Sequence, residues 1–155
     1  MKFDKSITAC FTGHRVVKND FAVEQLDDSI ENLIEKGYMF FLCGMAWGFD
    51  LLCFSRLLEK KKKYGYIVNV ACIPCPEQAE KYSAENKRIY EKLVSRADVR
   101  IMISDSYNDY CMKERDRFMV DNSSVCVSYL YSSLGGTYYT TKYASEKGLD
   151  IIYVK

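Results

Sequence analysis

Ile7-Thr8-Ala9-Cys10-Phe11, followed directly by Thr12-Gly13-His14-Arg15, is the stretch that decides the fold. Its first five residues are apolar or β-branched without the alternation of a half-exposed strand, so Ile7 to Phe11 reads as a strand covered on both faces. The turn residues break that run, and a helical period takes over from about Asp20. Phe21, Leu26, Ile30, Leu33 and Ile34 then fall near one helical face until Gly37 ends it. A buried strand feeding a helix-length connection calls for a parallel crossover.

The same alternation recurs along the chain. Tyr38 to Cys43 is a second strand, ending at Gly44-Met45-Ala46-Trp47-Gly48-Phe49-Asp50, and Leu51, Leu52, Phe54, Leu57 and Leu58 continue as a helix into Lys60-Lys61-Lys62-Lys63. Ile67 to Ile73 is a third strand. Pro74-Cys75-Pro76 is expected to open a long polar helix, with Pro76 in its first turn and Tyr82, Ile89, Tyr90, Leu93 and Val94 on one face. A strand from Val99 to Ile103, a helix from Cys111 to Asn122, a strand from Val125 to Leu130, a helix from Gly135-Gly136-Thr137 and a strand from Ile151 to Val154 complete the series. The pattern predicts a three-layer Rossmann-like α/β sandwich with a mostly parallel sheet, forming a single domain over residues 1–155. At that length the chain buries about 68–70% of its unfolded surface and needs no staple.

Charged residues make up 28% of the chain, yet the formal net charge is only +1. No whole-molecule field draws the chain to nucleic acid or to an anionic membrane, so composition argues against both as partners. The lysines at 60–63 suit a helix C-terminus and solvent. Seven cysteines is an odd number, and Cys10, Cys43, Cys72 and Cys126 sit in strand-like apolar runs where a thiol serves as a small hydrophobe. That usage predicts a reducing, cytoplasmic setting. No run approaches the roughly 18 apolar residues of a membrane span.

In open parallel sheets, ligands bind beyond the carboxyl ends of the strands. Three strand-end turns carry suitable chemistry. Thr12-Gly13-His14-Arg15 offers a hydroxyl, a small residue and a guanidinium able to fork onto phosphate; His14, the sole histidine, reads as a hydrogen-bonding or stacking group. Gly44 to Asp50 brings two glycines and Ala46, with Asp50 placed either to cap the helix or to accept ribose hydroxyls. Gly135-Gly136-Thr137 precedes a helix and can turn N–H groups toward an anion. None matches the dinucleotide fingerprint or the Walker loop, and a plain structural turn accounts for each one singly. Cys72-Ile73-Pro74-Cys75 has dithiol spacing, but Pro74 and Pro76 are the only prolines, so the later proline of a thioredoxin-type site is missing. With no second such pair or nearby histidine, no metal site is expected.

Taken together, Phe11-Thr12-Gly13-His14-Arg15, Gly44-Met45-Ala46-Trp47-Gly48-Phe49-Asp50, Cys72-Ile73-Pro74-Cys75-Pro76-Glu77-Gln78, Arg117-Phe118-Met119-Val120-Asp121 and Gly135-Gly136-Thr137 resemble the YpsA-like family over nearly the whole chain. The resemblance implies a Rossmann-like superfamily that includes the DNA-processing protein DprA and the LOG phosphoribohydrolases, and ligands derived from nucleotides, such as ADP-ribose. It implies that Gly48 and Asp50 match a functional glycine-x-acid step. The LOG hydrolases carry a Met-x-Glu-Arg-Lys segment and a glycine loop ending in a catalytic glutamate. Met112-Lys113-Glu114-Arg115 is similar to the first, leaving Arg115 as a phosphate contact, but Asp116 replaces the lysine and Thr140 falls where the glutamate belongs. A hydroxyl cannot act as that carboxylate does.

The expected function is therefore a regulatory, non-catalytic sensor of a small nucleotide-type ligand, with no catalytic residue and no required cofactor. Its pocket is assembled from Thr12, Gly13, His14, Arg15, Gly44, Met45, Ala46, Gly48, Asp50, Gly135, Gly136 and Thr137, with Arg115 at the edge. Tyr138 and Tyr139 are candidates for base stacking. Others of the thirteen tyrosines can serve a homo-oligomer contact. An enzyme alternative is a nucleoside-monophosphate N-glycosidase whose acid is Asp50, Glu114 or Asp116. The family alone suggests a third reading, an interaction module for a cell-division or envelope-stress partner.

Overall fold

The computed structural model describes residues 2–155. Strands β1 (Thr8–Gly13), β2 (Phe40–Cys43), β3 (Val68–Ile73), β4 (Val99–Met102), β5 (Val125–Tyr129) and β6 (Asp150–Tyr153) alternate with helices α1 (Val23–Glu35), α2 (Phe49–Lys63), α3 (Ala84–Ser95), α4 (Cys111–Asp121) and α5 (Gly136–Glu146). The six strands form one sheet in the order β4-β3-β2-β1-β5-β6, and every neighbouring pair is parallel.

Side-chain alternation along the strands divides the core in two. Ala9, Phe11, Phe41, Ala71 and Val127 point to the face covered by Leu26 and Ile30 of α1, Phe54 and Leu57 of α2, and Tyr90 of α3. Cys10, Leu42, Val70, Cys72 and Cys126 point the other way, onto Met119 and Val120 of α4 and Ala144 of α5. Both faces are thus covered, which is why the strands read as nearly unbroken apolar runs. The expected α/β sandwich is the observed one, and its sheet is wholly parallel.

Two boundaries differ from the sequence reading in ways that matter. Strand β1 does not end at Phe11: Thr12 and Gly13 still pair with Ser128 and Tyr129 of β5. The third helix does not open at Pro74-Cys75-Pro76. Residues 76–81 are turns, Pro76 is exposed, and α3 starts after Ser83, whose Oγ accepts from the Asn86 N–H at 3.1 Å. The hydroxyl cap outcompetes the proline signal because it satisfies a first-turn donor directly.

From β1 the chain builds outward through β2, β3 and β4, and α4 then returns it across the sheet to β5 on the far side of β1. The connections leave β1 and β5 in opposite directions. In open parallel sheets a crevice for ligands opens at such a switch point, beyond the carboxyl ends of the two strands. All seven cysteines are free and buried. Among the described residues no helix is long and apolar enough to cross a membrane.

Candidate functional site

The pairing of Gly13 with Tyr129 sets the ends of β1 and β5 side by side, and the loops beyond them are clasped together. The backbone N–H of Tyr131 donates to His14 Nε2 at 3.2 Å, and the two rings lie 4.1 Å apart. Tyr131 returns its hydroxyl to the Val16 carbonyl at 2.9 Å, with Lys18 Nζ 4.1 Å from the ring centre. Burial and then the Lys18 charge lower the His14 pKa, which keeps Nε2 free to accept. His14 is accordingly a clasp between loops. Arg15, next to it, is exposed, with Nη2 3.8 Å from Met112 Sδ on α4.

The glycines of the three turns divide into two kinds. A Cβ on Gly13 would fall within the Phe49 side chain, 2.6 Å from its Cβ, and one on Gly44 would lie 2.8 Å from the Arg115 guanidinium carbon. Gly48 has φ +96°, and a Cβ there would sit 2.7 Å from Arg15 Cα and nearer still to its carbonyl. At these three positions the close approach is to the protein itself. A Cβ on Gly135 or Gly136 would meet nothing within 4 Å, and no side chain caps the start of α5. Gly135 also needs its φ of +94° to turn the chain into the helix. Thr137, expected to offer its hydroxyl, is buried in the first turn, as is Thr12 at the end of β1.

Between these turns lies a buried charged cluster. Arg115 is only 5% exposed; Nη1 donates to the Gly44 carbonyl, and Nε donates to Asp116 at 2.6 Å. The same carbonyl accepts from Gln78 Nε2 at 2.9 Å, and Gln78 Oε1 accepts from Tyr90 at 2.8 Å. Arg115 therefore lies inside the cluster as a strut from α4 to the β2 turn, not at a rim. The second oxygen of Asp116 accepts from the Thr140 hydroxyl at 3.1 Å.

Asp50 does not cap α2, whose N-cap is Gly48. Its Oδ2 closes the preceding turn by accepting from the Ala46 N–H at 3.2 Å, and Oδ1 is buried with no partner. Burial pushes the carboxyl up to about 7, opposed by Arg115 and reinforced by Asp116. Met45, fully buried, takes a φ of 61°, a left-handed backbone without glycine's freedom. Trp47 donates its backbone N–H to the Tyr82 hydroxyl at 3.2 Å, and the two rings meet edge to face at 5.6 Å. Gln78, Tyr82 and Tyr131, which are not among the expected site residues, join these turns through long-range contacts.

Cys72 and Cys75 are 0% and 1% exposed. Burial raises the pKa of both thiols, strongly at Cys72, which leaves neither in the thiolate form that exchange chemistry needs.

A family model described as the YspA SLOG family (YpsA) matches residues 10–151. The chain belongs to this family. The uncharacterized SPbeta prophage-derived protein YoqJ of Bacillus subtilis (strain 168) is 28% identical over 130 residues, 76% of each chain. DNA processing protein A (DprA) of Streptococcus pneumoniae superposes with a TM-score of 0.65 at 17% identity, covering 97% of this chain and 50% of that one. DprA of Helicobacter pylori gives 0.66 at 13% identity, covering 96% and 65%. The SLOG chain thus spans half to two thirds of these structures, and the likeness establishes the shared fold. The H. pylori protein is described by a unique single-stranded DNA binding mode. That finding overturns the charge-based expectation against a nucleic-acid partner: net charge is a property of the whole molecule, and one protein that shares this fold is described as binding single-stranded DNA.

Proposed function

We propose that this SLOG domain binds a small nucleotide-type ligand of the ADP-ribose class at the switch point between β1 and β5, and works as a sensor without a resident cofactor. The observation that carries the reading is the open start of α5, which no side chain caps and where a Cβ on Gly135 or Gly136 would meet nothing within 4 Å, while the remaining site glycines are packed against protein. Helix N-termini with uncapped N–H groups favour phosphate. Exposed Arg15 on the adjoining loop supplies a guanidinium for the same anion. Binding is favoured over hydrolysis because Thr140 holds Asp116 by a hydrogen bond and supplies no carboxylate of its own.

A nucleotide carried within single-stranded DNA is the second reading, supported by the binding mode named for H. pylori DprA. Mass spectrometry of whatever co-purifies, followed by calorimetry with ADP-ribose, AMP and an oligo(dT), tests both. Arg15→Ala should weaken a nucleotide about tenfold or more, since each charge-assisted bond contributes roughly 1.5–3 kcal/mol. No heat with any of the three would sink the proposal, and steady release of free base from AMP would replace it with the N-glycosidase.

A further inference from the structure

A groove of about 490 Å³ runs between α4 and α5, lined among others by Met112, Asp116 and Arg117 on one side and Gly136, Tyr139 and Tyr143 on the other. Its volume lies in the range of small-ligand sites. It begins at Gly136, the open residue at the start of α5, so a phosphate held there leaves the next part of its molecule directed into the groove. Met112, on the opposite wall, is the residue that Arg15 reaches. The groove is thus continuous with the phosphate end assigned above.

We propose that this groove is the ring subsite of the ligand, receiving a nucleotide's heteroaromatic base against the face of Tyr139. The inference rests on the nucleotide reading and adds the place and chemistry of its second contact. Tyr139 is 67% exposed, and its recorded ring contact is with Tyr138, edge to face at 5.7 Å. Tyr143 is already engaged: its hydroxyl donates to Asp121 at 2.7 Å, and Arg117 and Lys147 lie 5.4 and 5.5 Å from its ring centre. One tyrosine is fixed as wall and the other presents a free aromatic face. Asp116, also in the lining, accepts from Arg115 and Thr140 and keeps carboxylate lone pairs for a donor on the edge of a ring.

The charges lining the groove favour a free nucleotide over a strand. Lys113, Arg117 and Lys142 line it together with Asp109, Asp116 and Glu146, and of these six only Asp116 is in an ion pair among the described residues. A track for successive phosphates needs a positive lining, whereas mixed charge suits one ring with a single phosphate end outside.

Calorimetry on the whole chain with AMP, ribose 5-phosphate and an oligo(dT) tests the assignment in wild type, Tyr139→Ala and Tyr139→Phe. Because Tyr139 is exposed, both variants should fold as wild type does. Tyr139→Ala should weaken AMP by roughly 5- to 150-fold, the effect of one base–aromatic stack, and leave ribose 5-phosphate unchanged. Tyr139→Phe should keep AMP affinity. Unchanged AMP affinity in Tyr139→Ala overturns the ring subsite while the nucleotide reading stands. Binding of neither small molecule by wild type overturns both, and Tyr139-dependent binding of oligo(dT) without AMP binding overturns the free nucleotide in favour of a strand.

Discussion

Gly48→Ala should destabilise the domain far more than Gly136→Ala, although the two glycines look alike in sequence. At Gly48 the new Cβ would lie 2.7 Å from Arg15 Cα and closer to its carbonyl, where ordinary contact begins near 3.4 Å. All three obstructing atoms are backbone, so no rotamer change relieves them. Their loop is held by the Phe49 N–H on the His14 carbonyl at 3.2 Å and by the His14–Tyr131 clasp. Left-handed backbone adds about 1–2 kcal/mol for a residue with a Cβ, and overpacking typically adds about 1–3 kcal/mol. A combined loss of roughly 2–5 kcal/mol lowers Tm by about 4–20 °C in a chain of this size. Gly37 isolates the first part of that loss, since its φ is +98° with nothing within 4 Å; Gly37→Ala should cost about 1–2 kcal/mol. Gly136→Ala, in open space inside a helix, should be neutral or stabilise by up to about 1 kcal/mol. Urea denaturation followed by circular dichroism ranks the three. A Gly48→Ala protein within about 0.5 kcal/mol of wild type, or one no worse than Gly37→Ala, would refute the steric argument. The ranking also selects the probe for ligand work: affinity lost at Gly136 reports on the ligand, whereas affinity lost at Gly48 reports on the loop.

Asp50, raised by burial from its ordinary 3.8 to about 7, keeps a proton in the folded chain that the unfolded chain releases between those values. Its contribution to stability is therefore full below about pH 4 and lost as pH rises through 7, so Asp50→Asn should gain on wild type by an amount of the order of a few kcal/mol between pH 5 and pH 8. Parallel urea midpoints of the two proteins across that range would show that the carboxyl does not titrate there. Cys72 and Cys75, buried and with raised pKa values, should give no insulin-reducing activity in wild type or in Cys75→Ser; turnover that vanishes in the variant would restore a redox role.

How far the sequence reaches depends on the range of the interaction that settles each feature. The six strands are legible because covering a sheet on both faces leaves a local mark, as at Cys10, Leu42, Val70 and Cys126, which are apolar where a one-sided sheet would be polar. Glycines likewise mark turns. What occupies the space beside them is not local: Phe49 fills it at Gly13, Arg115 at Gly44 and the Arg15 backbone at Gly48. The misplaced start of α3 has the same origin. Residues 76–81 are held in turns while Gln78 reaches the Gly44 carbonyl and Tyr82 the Trp47 N–H, partners 34 and 35 positions away. Arg115 reads as a rim phosphate contact only while Asp116 and the Gly44 carbonyl are out of view; once both are placed, two of its donor nitrogens are spent inside the protein. The consequence for function is a change of donor. In the proposed site the backbone of α5 and the guanidinium of Arg15 take over as anion donors, because the buried arginine is already neutralised by its own neighbour.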